Sequence, residues 1–170
     1  EQLPGKSVVM AGNPGDYVTM KEPLNITTNR MTMSGWIKRD GPQVNTAGIF
    51  FMRSSSAVAL NFYDSENLSI HWNDTQWWWN SGLTVPDGEW AHVAMTVAPN
   101  QVILYLNGVP SVRNFTVDAV NFDGPISLGR DPGRNSRQFK GEMDEVLIYD
   151  RTLSQDEIRE LMHLTRTPAE

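Results

Sequence analysis

Two stretches of this 170-residue chain hold side chains whose type and spacing could do recognition chemistry. The first is Trp77-Trp78-Trp79, with Trp72 and Asn73-Asp74-Thr75-Gln76 just before it. Flat aromatic faces pack against the C–H faces of sugar rings, while nearby amides and carboxylates fix the hydroxyls. Alternation along a strand would turn Trp78 away from Trp77 and Trp79, so at least one indole differs in direction from its neighbours. Packing competes with this use, because one or two of the indoles could fill a core or cover a sheet edge. Three in succession exceed what packing ordinarily requires, and we expect at least one to face a ligand. The second stretch is the loop 130–140, which carries Arg130, Arg134, Arg137 and Lys140, four of fourteen basic residues in a chain of net charge −6. Guanidinium forks take sulfate or carboxylate groups bidentately. The plainer alternative is a solvated loop whose Arg side chains pair with local Asp and Glu.

Other chemistries are thinner. Glu142, Asp144 and Glu145 lie close together in the chain. In a strand Glu142 and Asp144 share a face, Glu145 points the other way, and position 146 is Val. A retaining glycoside hydrolase needs two carboxyls about 5–5.5 Å apart in one cleft, and this spacing does not supply them. His71, His92 and His163 show neither Ser-His-Asp nor metal-cluster spacing. Without cysteine there are no disulfides, zinc–thiolate sites or thiol nucleophiles. The chain therefore reads as a non-enzyme. Its net negative charge lacks the basic face expected of a nucleic-acid binder. No apolar run approaches the roughly 20 residues needed to span a bilayer, so no membrane insertion is expected.

The elements that must position these residues are short strands separated by Gly, Pro, Asn and Asp. Strand patterns cover 7–10, 16–20, 31–39, 47–53, 57–63, 68–73, 90–98, 101–107, 126–129 and 141–150. Leu68, Ile70 and Trp72 share one face of their strand, and Ala91, Val93, Met95 and Val97 one face of theirs. Asn107-Gly108 is a strong hairpin signal. One helix is expected near the end. Ser154-Gln155-Asp156-Glu157 is a capping box, followed by a stripe of Ile158, Leu161, Met162 and Leu164. The tail after Leu164 should fray. Ten or so strands, one late helix and no βαβ alternation predict an all-β antiparallel sandwich filling one domain. Glu1 is not an initiator Met, so the chain reads as a fragment or a processed product. Sequons at Asn25, Asn67, Asn73 and Asn114 matter only in a eukaryotic secretory setting.

The order of segments is specific. Gly15-Asp16-Tyr17-Val18 is followed by Met31-Thr32-Met33-Ser34-Gly35-Trp36-Ile37, then by Trp90-Ala91-His92-Val93-Ala94-Met95-Thr96-Val97 and Leu104-Tyr105-Leu106-Asn107-Gly108. Ile126-Ser127-Leu128-Gly129-Arg130 and Gly141-Glu142-Met143-Asp144-Glu145-Val146-Leu147-Ile148-Tyr149-Asp150 close the set. This resembles the laminin-G-like, concanavalin A-like lectin and glucanase jelly rolls, especially those on secreted bacterial multidomain proteins. The resemblance spans about residues 7–163. It implies the two-sheet jelly-roll form, extracellular recognition, commonly of carbohydrate, and a structural role for His92 beside Trp90. It also implies a structural calcium joining the N-terminal turn to the closing strand, with ligands from Gly12, Asn13, Gly15, Asp16 and Asp144. The bland alternative is a well-formed turn at 13–16 and a hydrogen-bonded edge carboxylate at Asp144. The two-calcium loop of pentraxins is not matched, since 130–138 holds one acidic residue and three Arg.

The expectation is a non-catalytic carbohydrate-binding domain tethered within a larger secreted or cell-surface protein. Its binding residues would be Trp72, Asn73, Asp74, Trp77, Trp78, Trp79, Arg130, Arg134 and Arg137, with a polysaccharide as ligand, an anionic one if the Arg loop takes part. The alternative is an adhesion or inter-domain module in which exposed aromatics contact a protein.

Overall fold

A computed structural model describes residues 6–165 of the chain. The strands are β1 (Val8–Ala11), β2 (Val18–Met20), β3 (Thr27–Thr28), β4 (Met31–Arg39), β5 (Gly48–Arg53), β6 (Ala57–Phe62) and β7 (Leu68–Trp72). They continue with β8 (Trp90–Ala98), β9 (Gln101–Leu106), β10 (Val109–Asn114), β11 (Val120–Asn121), β12 (Ile126–Leu128) and β13 (Lys140–Tyr149), and helix α1 (Gln155–Leu164) follows. One sheet has the order β1-β13-β4-β8-β9-β10, the other β2-β12-β5-β6-β7, and β11 pairs with β3. These ladders are antiparallel. The chain is the all-β antiparallel sandwich that the alternation predicts, in the two-sheet jelly-roll form that the resemblance implies. The short β3–β11 pair carries no readable period and is absent from the strand patterns in the sequence.

The two sheets bury one face each against the other. Met33 and Ile37 of β4, Val93, Met95 and Val97 of β8, Phe50 and Met52 of β5, and Leu68, Ile70 and Trp72 of β7 share this core. Helix α1 adds a second core on the outer face of the six-stranded sheet, where Ile158 and Leu161 pack with Ala94, Tyr105 and Leu153. Strands β4 and β8 are thus buried on both faces. The helix starts as its capping box requires: the Ser154 amide donates to Glu157 Oε2 at 2.7 Å, and the Glu157 amide donates to Ser154 Oγ at 3.3 Å. Of the expected stripe only Ile158 and Leu161 are buried, and Leu164 is exposed. Thr165 closes the helix, its amide donating to the Leu161 carbonyl at 2.9 Å. The tail expected to fray, 166–170, lies outside the described residues.

His92 is buried in β8, in keeping with the structural role that the resemblance implies. It packs against Trp36, its cross-strand partner, with ring centroids 5.5 Å apart. Trp90 lies two residues away along β8 and pairs with Lys38 instead. His92 is fully buried, and neither ring nitrogen has a hydrogen-bond partner. Burial pushes its pKa down to about 4. Among the described residues no helix is long and apolar enough to cross a membrane.

Candidate functional site

The face of the five-stranded sheet turned away from the core carries a cleft of about 460 Å³. Period-2 alternation builds its floor. Val58, Leu60 and Phe62 of β6 enter the core, while Ala57, Ala59 and Asn61 point the other way; in β7 Ser69 and His71 oppose Leu68, Ile70 and Trp72. Ala57 and Ala59 pack with Phe51 beside this floor. Polar Asn61, Ser69 and His71 line the cleft, and the loops 73–80 and 131–137 wall it.

The aromatic wall starts with a tight turn. Asn73 and Asp74 both have left-handed backbones, with φ 52° and 51°, and the Thr75 amide donates to the Trp72 carbonyl at 3.3 Å. Positive φ at both central positions is the type I′ pattern, which Asn and Asp tolerate. Beyond the turn, Trp77 stacks on His71 at 5.8 Å with planes 21° apart, and Trp78 meets Tyr63 edge-on at 5.3 Å. Both indoles are about half exposed, at 49% and 53%. His71 Nε2 and Asp74 Oδ1 are 2.7 Å apart, which ties the turn to the floor. Burial holds the His71 pKa below its ordinary value, against the opposing pull of Asp74.

The opposite wall is basic. Asp131 has no exposed side-chain surface and accepts four hydrogen bonds. Its Oδ1 takes Arg53 Nε at 3.1 Å and the Gly133 amide at 2.8 Å. Its Oδ2 takes Arg53 Nη2 at 3.2 Å and Arg137 Nη1 at 2.8 Å. Burial alone would raise the Asp131 pKa, but these donors outweigh it and hold the carboxyl below its ordinary value. Gly133 permits the arrangement, since a Cβ there would meet Arg53 Nε at 2.6 Å. Arg134 also lines the cleft, is exposed, and makes no ion pair among the described residues.

The sequence-predicted residues divide. Trp77, Trp78, Asp74, Arg134 and Arg137 meet at this cleft. Trp72 does not: it is 1% exposed in the sandwich core, and its indole N–H donates to the Asp118 carbonyl at 2.9 Å. Its shared face with Leu68 and Ile70 dictates this burial. Trp79 is no cleft residue either. It packs partly buried against the core with Arg113 5.8 Å from its ring centroid. The three indoles do not alternate as in a strand, because Trp78 adopts φ 61° and the segment forms no ladder. Asn73 acts in the turn, its amide donating to the Ala57 carbonyl at 2.8 Å, and does not line the cleft. Arg130 lies elsewhere, its guanidinium over Tyr17 at 3.3 Å from the ring centroid. Lys140 pairs with Asp40 at 2.8 Å. Arg53, His71, Tyr63 and Asp131 escaped the sequence reading. Arg53 and Asp131 are 78 residues apart, and no local pattern announces their pairing.

The residues named for calcium do not form one group. Gly12 lies against Lys140, which pairs with Ala11 in the β1–β13 ladder. Asp144 is four residues further along β13, about 13 Å away at the usual strand rise. The Asp16 carboxylate accepts from the Asn13 amide at 2.9 Å, and the Asp144 carboxylate from the Glu145 amide at 2.8 Å. Gly15 has open space at its Cβ position. Gly12 and Asp144 are therefore too far apart to hold one ion together. The hydrolase-like carboxylates also stand apart from the cleft. Glu142 accepts from Ser7 Oγ at 2.6 Å beside Lys38, and Glu145 sits in a bulge with φ 49°.

A profile of the concanavalin A-like lectin/glucanases superfamily, laminin-G type, matches residues 11–159. The chain belongs to that superfamily. Among solved structures it is similar to domain 4 of AbnA, an extracellular arabinanase from Geobacillus stearothermophilus, in complex with arabinotriose. The TM-score is 0.74 at 22% identity, over 94% of this chain and 78% of that one. A carbohydrate-binding protein from Bacteroides ovatus, so described provisionally, gives a TM-score of 0.70 at 19% identity, over 91% of this chain and 47% of the other. A heptameric SAP-like pentraxin from Limulus polyphemus gives 0.68 at 17% identity, over 94% and 76%. No curated protein sequence matches the chain. At these identities the structural likeness speaks for the fold alone.

Proposed function

We propose that this laminin-G-type domain is a non-catalytic carbohydrate-binding module that takes a polysaccharide segment in the Trp77–Trp78 cleft. One observation carries the reading: two half-exposed indoles, each braced by a second ring, wall a cleft with a polar floor. Indole faces would cover sugar C–H faces while His71 and exposed Arg134 offer hydrogen bonds. The cleft volume suits a short oligosaccharide segment. The AbnA domain in complex with arabinotriose supports sugar binding on this fold by analogy.

Charge favours an acidic glycan. Arg53, Arg134 and Arg137 face two carboxylates, Asp74 and Asp131, and three cations against two anions leave one positive charge. This sits in a chain of net charge −6, so the local sign opposes the global one. Chemistry at the cleft is disfavoured because its buried carboxylate is saturated by donors and Asp74 is engaged by His71. The module would serve a secreted or cell-surface protein and hold it on a polysaccharide.

Affinity electrophoresis against neutral and acidic polysaccharides tests this. The wild type should be retarded in at least one gel, Trp77→Ala and Trp78→Ala should run free, and folded Trp79→Ala should stay retarded. Equal retardation of all variants would place the sugar elsewhere; mobility unchanged in every gel would remove the function.

A further inference from the structure

Asp131 is the feature of the cleft that a simple charge argument handles worst. A carboxylate beside a site for acidic sugars should weaken binding, yet this one lies fully buried directly behind the basic wall. Its four donors saturate it, so it offers nothing to a ligand. What it does is geometric. Arg53 meets it side-on through Nε and Nη2, which leaves Nη1 directed outward, 4.0 Å from Asp74. Arg137 spends only Nη1 on it, so Nε and Nη2 stay open. Each guanidinium keeps about a third of its side chain exposed, at 33% and 31%. Glycine at 133 leaves room for Arg53, whose Nε a Cβ there would meet at 2.6 Å.

Resting on the glycan reading above, we propose that Asp131 is a positioning residue, which locks Arg53 and Arg137 into a planar receptor for the carboxylate of a uronate sugar. An unheld Arg loses rotamer freedom when it binds, and holding both side chains in advance removes that cost. A planar carboxylate accepts two parallel N–H donors from guanidinium edges. The ligand class is thus a polysaccharide with uronate residues, the sugar ring lying on Trp77 and Trp78 and the acid group turned to the fork.

The test sets position against charge. Calorimetric titrations would use an oligogalacturonate and its neutral methyl ester, with wild type and Asp131→Asn. On charge alone Asp131→Asn raises the local balance by one and strengthens acid binding. On positioning it weakens acid binding by about tenfold or more, the scale of one charge-assisted hydrogen bond, and leaves the methyl ester nearly unchanged. Equal or tighter acid binding by folded Asp131→Asn overturns the inference. Should that variant fail to fold, Arg53→Lys decides, because it keeps the charge and loses the fork. A selective loss for the acid sugar then supports positioning, and an unchanged Kd overturns it. Wild type that binds the ester as tightly as the acid overturns the inference but leaves the glycan site standing; wild type that binds neither removes both.

Discussion

His92 makes the six-stranded sheet sensitive to acid, by an amount the structure sets. The ring lies beside Trp36 without a partner for either nitrogen, and burial lowers its pKa from 6.5 to about 4. A base whose folded pKa is depressed contributes stability above its unfolded pKa and loses it as pH falls towards the folded value. The window here runs from about 6.5 down to about 4. A difference of 2.5 units at about 1.4 kcal/mol each gives a limit of about 3.4 kcal/mol, of which about 3 is lost by pH 4. At about 2–4 °C per kcal/mol for a domain of this size, that is about 6–12 °C in Tm. His92→Phe keeps an aromatic ring against Trp36 and removes both orphaned nitrogens, so at pH 7 it should melt at or above wild type. Thermal melts of both proteins from pH 7.5 to 4 would be subtracted, which cancels the acid response of Asp131 and the other carboxylates. The difference should grow through the stated window. Parallel curves would refute the reasoning.

Three further outcomes follow from the cleft, the core and the turn. Binding of oligogalacturonate should tighten as pH is lowered below the ordinary imidazole value of 6.5, because His71, whose pKa burial holds under that value, then gains a proton and adds to the basic wall. His71→Phe should flatten that profile in calorimetric titration. Trp72→Ala should cost about 3–5 kcal/mol in chemical denaturation, as an indole removed from a closed core, whereas half-exposed Trp77→Ala should cost far less. Chelator should leave the Tm of wild type unchanged, since Gly12 and Asp144 stand too far apart along β13 to hold one ion together; a clear fall would restore the calcium joint.

Local features were legible in the chain because the forces behind them are local. The Ser154–Glu157 box sets the start of α1 through bonds three residues apart. The closing segment reads as a strand from Gly141 to Asp150, and β13 forms there from Lys140 to Tyr149. Trp72 was legible too, since its period with Leu68 and Ile70 assigns it to the core, against its use as a ligand residue. One of Trp77 to Trp79 does differ in direction, but it is Trp79 rather than Trp78, because the left-handed backbone of Trp78 cancels the alternation of a strand. Half of the basic wall was hidden altogether. Arg53 closes a strand that reads as ordinary, and Asp131 reads as a loop acid; the β12–β5 register carries Asp131 towards Gly48, and only the fold of the loop back over β5 brings it to Arg53.

The most direct check on glycan binding at this cleft is a nitrogen-15 correlation spectrum of the indole N–H groups during titration with a polysaccharide fragment that the domain retains. Six tryptophans give six such signals. Those of Trp77 and Trp78 should move with saturation, while those of buried Trp36 and Trp72, whose N–H groups are bonded to Thr165 and Asp118, should stay in place. Saturable shifts confined to other indoles, with Trp77 and Trp78 unmoved, would contradict the account.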